Sequence, residues 1–235
     1  MRVVLFGATG MVGHGVLTAL LEDPTITGVV SVSRRVTGRS HPKLKEVLHR
    51  DFLDYRELDA EFAAAHATLF CLGTPSVGKT EPEYTRITRD YAVAAAAAAL
   101  RNNPDSVFGY VSANRADSTS RTMWIRVKGR AEENLAALHP RAFFLRPGFI
   151  RPCRGARPAT RAQRVVYAVL TPFHPLLKLL FPTGVTTTDA IAHTMLELIH
   201  APESLPRRLD NTLINQIAER GAARVTADRP PRSRS

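Results

Sequence analysis

A glycine-rich segment near the N-terminus constrains the fold more than any other feature of this chain. Residues Arg2–Phe6 form a short apolar run, and Met11–Leu21 have the spacing of a helix buried on one face. The turn between them reads Gly7-Ala-Thr-Gly10-Met-Val-Gly13. Glycines at these positions allow a tight turn, a close approach of a phosphate to the backbone, and close packing of the helix on the strand. The segment therefore predicts a strand, a phosphate-binding turn and a helix.

The ligand expected at such a turn is the diphosphate of a dinucleotide, because free amides and the positive end of a helix face it. The alternative is a glycine-rich turn that binds no ligand. The backbone contacts to the diphosphate would come from six positions, namely Gly7, Thr9, Gly10, Met11, Val12 and Gly13.

Beyond this turn, short apolar runs alternate with longer helical stretches, which predicts an α/β fold with a doubly wound, mostly parallel sheet. The alanine-rich run at residues 94–99 is interpreted as a helix face that packs closely in the core. The predicted strands are Arg2–Phe6, Gly28–Ser33, Leu44–His49, Thr68–Leu72, Val107–Val111 and Ala142–Leu145. The predicted helices are Met11–Leu21, Tyr55–Ala64, Pro82–Leu100, Ser120–Leu138 and a threonine-capped Thr188–His200.

The pattern changes after Pro147-Gly148, and residues 149–218 are predicted to be a small, helical substrate or lid region of a single domain that covers residues 1–218. Within it, residues 163–181 could cover a substrate, contact a membrane surface through their apolar side chains, or pack in the core. Residues 219–235 are predicted to be a basic tail, disordered from Ala222 onward because arginine, proline and serine dominate there.

Composition limits the cellular setting and the bound groups. Cys71 and Cys153 are isolated from other metal-ligand residues, the eight histidines show no ligand spacing, and no apolar run is long enough to span a bilayer. We therefore expect no metal. Since the first strand begins at Arg2 and no signal segment precedes it, we expect a cytoplasmic location.

The formal net charge of +11 is concentrated in two segments. Residues 134–188 contain seven arginines and one lysine with no acidic residue, and the tail is basic as well. No helix-turn-helix, zinc-finger or RNA-reading pattern accompanies them, so no specific nucleic-acid partner is expected. An anionic cofactor, an acidic substrate, an anionic membrane surface or simple solvation of the arginines would each explain the charge.

The end of the second strand distinguishes between two nicotinamide coenzymes. NAD-binding folds place a carboxylate there for the ribose hydroxyl, whereas this chain has Ser33-Arg34-Arg35. Two guanidinium groups suit a 2′-phosphate, so the sequence favours NADP over NAD, unless Arg34 and Arg35 are ordinary surface charges. Asp51 and Phe52 follow the third strand and are expected to contact adenine, although a loop-capping aspartate would have the same pattern.

A second glycine loop, Gly73–Thr80, matches the phosphate-binding loop of nucleoside triphosphatases. We interpret the match as coincidence, because the first strand–helix turn already has a phosphate motif and no predicted strand ends in a magnesium-binding aspartate. In a dinucleotide fold, Leu72, Gly73 and Thr74 would instead line the ribose of the cofactor.

Several motifs together resemble the atypical short-chain dehydrogenases/reductases, and in particular the branch of Tat-interacting oxidoreductase-like proteins and bacterial relatives called epimerases. They are the N-terminal glycine motif, Cys71-Leu-Gly-Thr74, Ser112, Lys128-Gly-x-x-Glu132 and Arg146-Pro-Gly148, and the resemblance extends over roughly residues 1–200. It implies NAD(P) in a Rossmann fold. It also implies that Lys128 holds the nicotinamide ribose and lowers the pKa of a catalytic tyrosine four residues earlier.

This chain has Trp124 at the tyrosine position. An indole N–H only donates hydrogen bonds and cannot act as an acid or base near neutral pH. Proton transfer then needs a substitute, for which Ser112, Tyr110 and Ser120 are candidates, while Trp124 either packs in the fold or lines the nicotinamide pocket. The sequence thus predicts an NADP-dependent oxidoreductase or epimerase acting on a small molecule. Its alternatives are a non-catalytic NADP-responsive binding protein and a nucleoside triphosphatase using Gly73–Thr80.

Overall fold

A seven-stranded parallel sheet forms the centre of the chain in this computed structural model, which describes residues 1–153 and 184–227. Its strand order is β3-β2-β1-β4-β5-β6-β9, so the order reverses between β1 and β4, where open α/β sheets bind their ligands. The strands are β1 (Arg2–Phe6), β2 (Gly28–Ser33), β3 (Leu44–Leu48), β4 (Ala67–Phe70), β5 (Val107–Val111), β6 (Ala142–Arg146), β7 (Phe149–Arg151), β8 (Val185–Thr187) and β9 (Arg208–Asp210).

Helices cover both faces of this sheet, which confirms the predicted α/β class and the doubly wound Rossmann arrangement. The α-helices are α1 (Met11–Glu22), α2 (Asp59–Ala63), α3 (Glu81–Thr85), α4 (Tyr91–Asn102), α5 (Met123–Leu138), α6 (Thr188–His200) and α7 (Asn211–Ala227). Short 3-10 helices are formed by Arg56–Leu58 and Pro202–Ser204, and a π-helical turn, Arg86–Asp90, joins α3 to α4.

Alternate side chains of β1 enter two separate cores, because a parallel strand with helices on both sides is buried on both faces. Val3 and Leu5 join an aliphatic core under α1 and α6, with residues such as Leu17 and Met195. Phe6 on the opposite face joins an aromatic core that α4 covers. The side chains of Ala92, Ala95, Ala96, Ala98 and Ala99 form the packed face of α4, as the alanine-rich run predicts.

Some element boundaries differ from the predictions. The predicted helix Pro82–Leu100 is interrupted by the π-helical turn. The helix predicted from Ser120 begins at Met123, because the side chains of Asp117 and Ser120 accept backbone hydrogen bonds that hold the preceding residues in turns. The predicted helix Tyr55–Ala64 is a 3-10 turn followed by α2, and the fourth strand ends at Phe70 instead of Leu72.

The C-terminal region contributes to the central layers. Helix α6 packs against α1, and β9 pairs with β6 at the edge of the main sheet, while β7 and β8 form a separate parallel pair. Helix α7 extends into the segment predicted as a disordered tail and ends at Ala227. The proposed lid or membrane-contacting segment, 163–181, and the last tail residues, 228–235, lie outside the described residues.

Candidate functional site

The glycine turn has the geometry that the sequence predicts for close packing. Gly7 has φ +82°, and a Cβ atom there would lie 2.6 Å from the amide nitrogen of Leu72 at the end of β4. A Cβ atom on Gly13 would lie 2.1 Å from the carbonyl oxygen of Gly7. The Gly10 amide closes the turn by donating to the same oxygen at 2.9 Å. Only glycine fits at Gly7 and Gly13 without movement of the backbone.

Helix α1 begins at this turn with free donors. Gly10 is its N-cap and offers no side-chain acceptor, and the first turn contains no acidic residue. Within the described part of the chain, the amides of Met11, Val12 and Gly13 have no hydrogen-bond acceptor. Three unpaired amides lie at the positive end of a helix, and the glycines of the turn place no Cβ atom beside them. This arrangement fits a diphosphate group.

A groove of about 300 Å³ continues from this turn toward the end of β2. Thr9 from the glycine turn, His14 from the first turns of α1 and Arg35 from the segment after β2 line the groove. The Arg39 guanidinium contacts His14 Nε2 at 3.2 Å, which brings a second arginine close. Arg34 and Arg35 are both exposed, and of these two arginines, which the sequence treats as a pair, only Arg35 lines the groove.

His14 and Arg39 are site residues that the sequence analysis missed. The position of His14, directly after Gly13 on α1, was a signal for it. Arg39 had no such signal, because only the path of the loop after β2 brings it back to α1.

Two predicted adenine contacts have other roles. Phe52 is 2% exposed and packs edge-on against Phe6, so its ring is part of the aromatic core. Asp51 accepts a hydrogen bond from the Leu53 amide at 3.0 Å, which is the loop-capping role that the sequence left open. Leu72 does lie beside the glycine turn, and Gly73 and Thr74 follow it into the loop.

The second glycine loop ends in a capped helix. Thr80 is the N-cap of α3, its hydroxyl contacts the Glu83 carboxylate at 2.8 Å, and that carboxylate also accepts the Thr80 amide. Both groups of Thr80 that a nucleoside triphosphatase would present to magnesium and phosphate are thus engaged within the helix.

Lys128 lies on α5 at the carboxyl end of β5, where two fixed acceptors hold its ammonium group. Nζ donates to the Val111 carbonyl oxygen at 2.8 Å and to the Tyr110 hydroxyl at 3.1 Å, and it stands 4.6 Å from the centre of the Tyr110 ring. The Tyr110 hydroxyl donates to the carbonyl oxygen of Thr88 in the π-helical turn at 2.9 Å. The structure therefore joins Lys128 to a tyrosine on the sheet.

Burial changes the pKa values in this cluster. It lowers the pKa of Lys128 to about 8, against the opposing attraction of Glu132 and Cys71. It raises the pKa of Tyr110 well above its ordinary value and that of Cys71 to about 12. Near neutral pH the phenol and thiol stay protonated, and Lys128 is the group in the cluster whose charge changes closest to the physiological range.

The candidate Ser112 belongs to a buried ionic network. Its hydroxyl donates to Glu132, a carboxylate that is 1% exposed and also accepts two hydrogen bonds from the Arg146 guanidinium. Ser120 accepts a hydrogen bond from the Thr122 amide in a loop, and Trp124 is half-buried on α5. The role of Glu132 was missed, although it belongs to the Lys128-Gly-x-x-Glu132 motif.

Two further searches covered the described residues. None of the helices there is long and apolar enough to cross a membrane. In the same residues, no group of three histidine, cysteine or acidic side chains is placed to hold a metal ion.

Comparison with known proteins identifies a family of nicotinamide-binding domains. Residues 2–120 match the family model described as semialdehyde dehydrogenase, NAD binding domain. The protein fmp52 of Emericella nidulans, named as mitochondrial, is 32% identical over 186 residues, which cover 75% of this chain and 79% of that protein. The prediction of a cytoplasmic location is wrong on this finding, because the Fmp52 relatives are named as mitochondrial proteins.

Solved structures show the same fold at low sequence identity. An oxidoreductase of the short-chain dehydrogenase/reductase family from Burkholderia thailandensis superposes with a TM-score of 0.64 at 16% identity, covering 97% of this chain and 98% of that one. MoeE5, solved in complex with UDP-glucose and NAD, gives a TM-score of 0.67 at 14% identity, covering 94% of this chain and 82% of its own.

Proposed function

We propose that this chain is an NADP-dependent oxidoreductase acting on the carbonyl group of a small molecule. It belongs to the family of semialdehyde dehydrogenase NAD-binding domains and has the Rossmann fold of short-chain dehydrogenases/reductases. The glycine turn would hold the diphosphate, and Lys128 would lie beside the nicotinamide end of the coenzyme. The coenzyme, when bound, supplies or accepts the hydride.

The cationic groove at the end of β2 carries the assignment to NADP. Arg35 lines the groove, and Arg39 contacts His14, another lining residue. No carboxylate is among the lining residues. Within the described residues, Arg35 has no ion-pair partner that would occupy its guanidinium group. An unpaired guanidinium beside the diphosphate turn suits a 2′-phosphate, which offers charge and several acceptor oxygens.

The test compares dissociation constants for NADPH and NADH by calorimetry. The Arg35→Ala substitution removes a charge-assisted contact worth about 1.5–3 kcal/mol, so NADPH binding should weaken by about tenfold to a hundredfold while NADH binding changes little. Arg34→Ala is the matched control, since Arg34 is exposed next to the groove but does not line it. Equal losses for both coenzymes with Arg35→Ala would reject the phosphate assignment.

A second function is favoured by Trp124, which occupies the position of the catalytic tyrosine: a binding protein that responds to NADP without catalysis. Oxidation of NADPH with a panel of aldehydes and ketones distinguishes the two. Turnover by the unmodified chain supports the enzyme, whereas activity that appears only with Trp124→Tyr supports the binding protein.

A further inference from the structure

We propose that the ammonium group of Lys128 is itself the proton donor of the reaction, in place of the phenol that position 124 lacks. This inference rests on the proposed function, because it requires that a carbonyl group is reduced at the carboxyl end of β5. Lys128 then lies beside the coenzyme, and its Nζ atom delivers a proton to the carbonyl oxygen.

The other protic groups at this edge of the sheet are already engaged or buried. The Tyr110 side chain is fully buried, and its proton is donated to the Thr88 carbonyl oxygen. The Ser112 proton is donated to Glu132 within the core, and Ser112 is 6% exposed. Trp124 has only an indole N–H, which does not ionise near neutral pH. Lys128 differs from these groups because the residue is only partly buried and its ammonium carries three protons.

The hydrogen bonds of Lys128 leave one proton available. An ammonium group has three N–H donors, and two of them point to the Val111 carbonyl and the Tyr110 hydroxyl. Within the described residues, Nζ has no third acceptor. Because two bonds fix the orientation of the group, the third N–H has a defined direction, as a general acid requires.

The charged and titratable groups that face Nζ favour its release of a proton near neutral pH. Tyr110 on β5 and Cys71 after β4 remain neutral, since burial raises the pKa of both. Glu132 attracts the ammonium, but its carboxylate is shared with Arg146 and Arg208. The remaining effect of burial lowers the pKa of Lys128 to about 8, which is close to the value that suits an acid at neutral pH.

The atoms and electrons of this step balance. Reduction adds a hydride at the carbonyl carbon, and the reduced nicotinamide that provides it is oxidised. One Nζ–H bond of Lys128 breaks as the carbonyl oxygen takes the proton and forms an O–H bond. The electron pair of the broken bond stays on Nζ as a neutral amine, which then takes a proton from water.

The first experiment measures the titration of Lys128 in the coenzyme-free chain. Each of the five lysines is labelled competitively with trace acetic anhydride over a range of pH and quantified by mass spectrometry. We expect a midpoint for Lys128 near pH 8. Tyr110→Phe should move it to lower pH, because loss of the phenol acceptor destabilises the ammonium form. Tyr55→Phe, which removes another buried phenol whose hydroxyl donates to the Tyr91 carbonyl oxygen, should leave it unchanged.

The second experiment follows single-turnover reduction of 4-nitrobenzaldehyde and related aldehydes by NADPH. The rate should fall above about pH 8 as the ammonium loses its proton, and Tyr110→Phe should shift this fall to lower pH. Lys128→Met at saturating NADPH should lose about a hundredfold or more of the rate, the usual contribution of a general acid.

The outcomes separate this inference from the proposed function. If the chain does not bind NADPH, the proposed function fails. If it binds and oxidises NADPH but Lys128 titrates near the ordinary value of 10.5, or the rate is independent of pH in this range, the donor role alone is overturned. Binding of NADPH without turnover of any aldehyde also overturns the donor role and supports the binding-protein function.

Discussion

Glu132 is the residue on which the ion pairs around the candidate site converge. Its buried carboxylate accepts hydrogen bonds from Arg146 at 2.6–3.2 Å and from Ser112, and it lies 3.4 Å from Nε of Arg208. These partners come from the ends of three strands and meet on one residue of α5. A buried charge is tolerated only when such partners compensate its loss of hydration.

Replacing Glu132 by glutamine should lower the free energy of unfolding by about 3 kcal/mol, because Arg146 would keep its charge in the core without a counter-charge. Glu133→Gln is the matched control: Glu133 is exposed, its contact is with Ser118, and the change should cost less than about 1 kcal/mol. Urea unfolding of both variants measures the difference. Similar losses of unfolding free energy in the two variants would show that the buried Glu132 network adds no more stability than the exposed Glu133 contact.

At the residue scale, the sequence predicted the positions that a motif fixes and missed those that depend on long-range contacts. The glycines follow from their spacing between a strand and a helix, and Lys128 follows from the resemblance to the atypical short-chain dehydrogenases/reductases. Arg39 and the Lys128–Tyr110 pair could not be predicted, because loop paths and helix rotation bring them together. Phe52 was expected to contact adenine for a related reason: its position after β3 does not reveal which way its ring points.

At the scale of elements, the contact between the start of α1 and the end of β1 depends on the absence of side chains. A Cβ on Gly13 would meet three backbone atoms of the turn, Gly7 O, Gly7 C and Ala8 N, within 2.9 Å. Backbone atoms cannot rotate away as a flexible side chain can. Helix α1 would have to move as a unit, and its free amides would move with it.

Gly13→Ala should therefore destabilise the chain by about 1–3 kcal/mol, the usual cost of overpacking, and weaken NADPH binding. The control is Gly28→Ala on β2, where the nearest atom to a new Cβ would be the side-chain Cγ of Arg2 at 3.6 Å, an ordinary contact. Thermal unfolding with and without NADPH separates the effects on stability and on binding. Unchanged stability and unchanged NADPH binding in Gly13→Ala would contradict the close packing of α1 on the glycine turn.

The predictable elements are the long or strongly apolar ones. Strands β1, β2 and β5 match their predicted ranges because each is an uninterrupted run of mostly apolar residues. Strands β7, β8 and β9 have three residues each and include polar side chains, so no periodicity identifies them. The π-helical turn was also missed, since its residues, Arg86–Asp90, have ordinary helical composition.

At the scale of the whole molecule, one buried histidine should make stability depend on pH. His139 is fully buried at the end of α5, and neither ring nitrogen has a hydrogen-bond partner among the described residues. Burial, together with the nearby charges of Arg141 and Arg207, lowers its pKa from 6.5 to about 4. The folded chain thus keeps this ring neutral at a pH where the unfolded chain protonates it.

Since the folded pKa is the lower one, the contribution is complete above pH 6.5 and is lost as the pH falls toward 4. We expect this loss to amount to about 3 kcal/mol. His139→Leu should flatten the dependence, whereas His66→Leu, at an exposed position, should preserve it. Urea unfolding at a series of pH values measures the slopes. An unchanged slope in His139→Leu would assign the acid sensitivity to other groups.

The overall fold was predictable because alternation of strand and helix patterns leaves few arrangements for the chain. The role of the basic stretch was not, since charge alone does not reveal pairing. In the structure, Arg141 pairs with Glu203 and Arg146 with Glu132, so these two arginines stabilise contacts to distant segments. Residues 149–218 were predicted as a substrate or lid part of the single domain, and in the structure α6 packs on one face of the central sheet while β9 forms its edge.

The π-helical turn before α4 determines the rotation of α4 about its own axis, and therefore which side chains of α4 face the sheet. Each residue of an α-helix advances by about 100° around the axis, so shortening the turn by one residue would swing the alanine face of α4 away from the sheet. It would also withdraw the Thr88 oxygen from Tyr110. A deletion within residues 86–90 would thus disturb the aromatic core and the environment of Lys128 together, whereas a substitution there would leave the register intact.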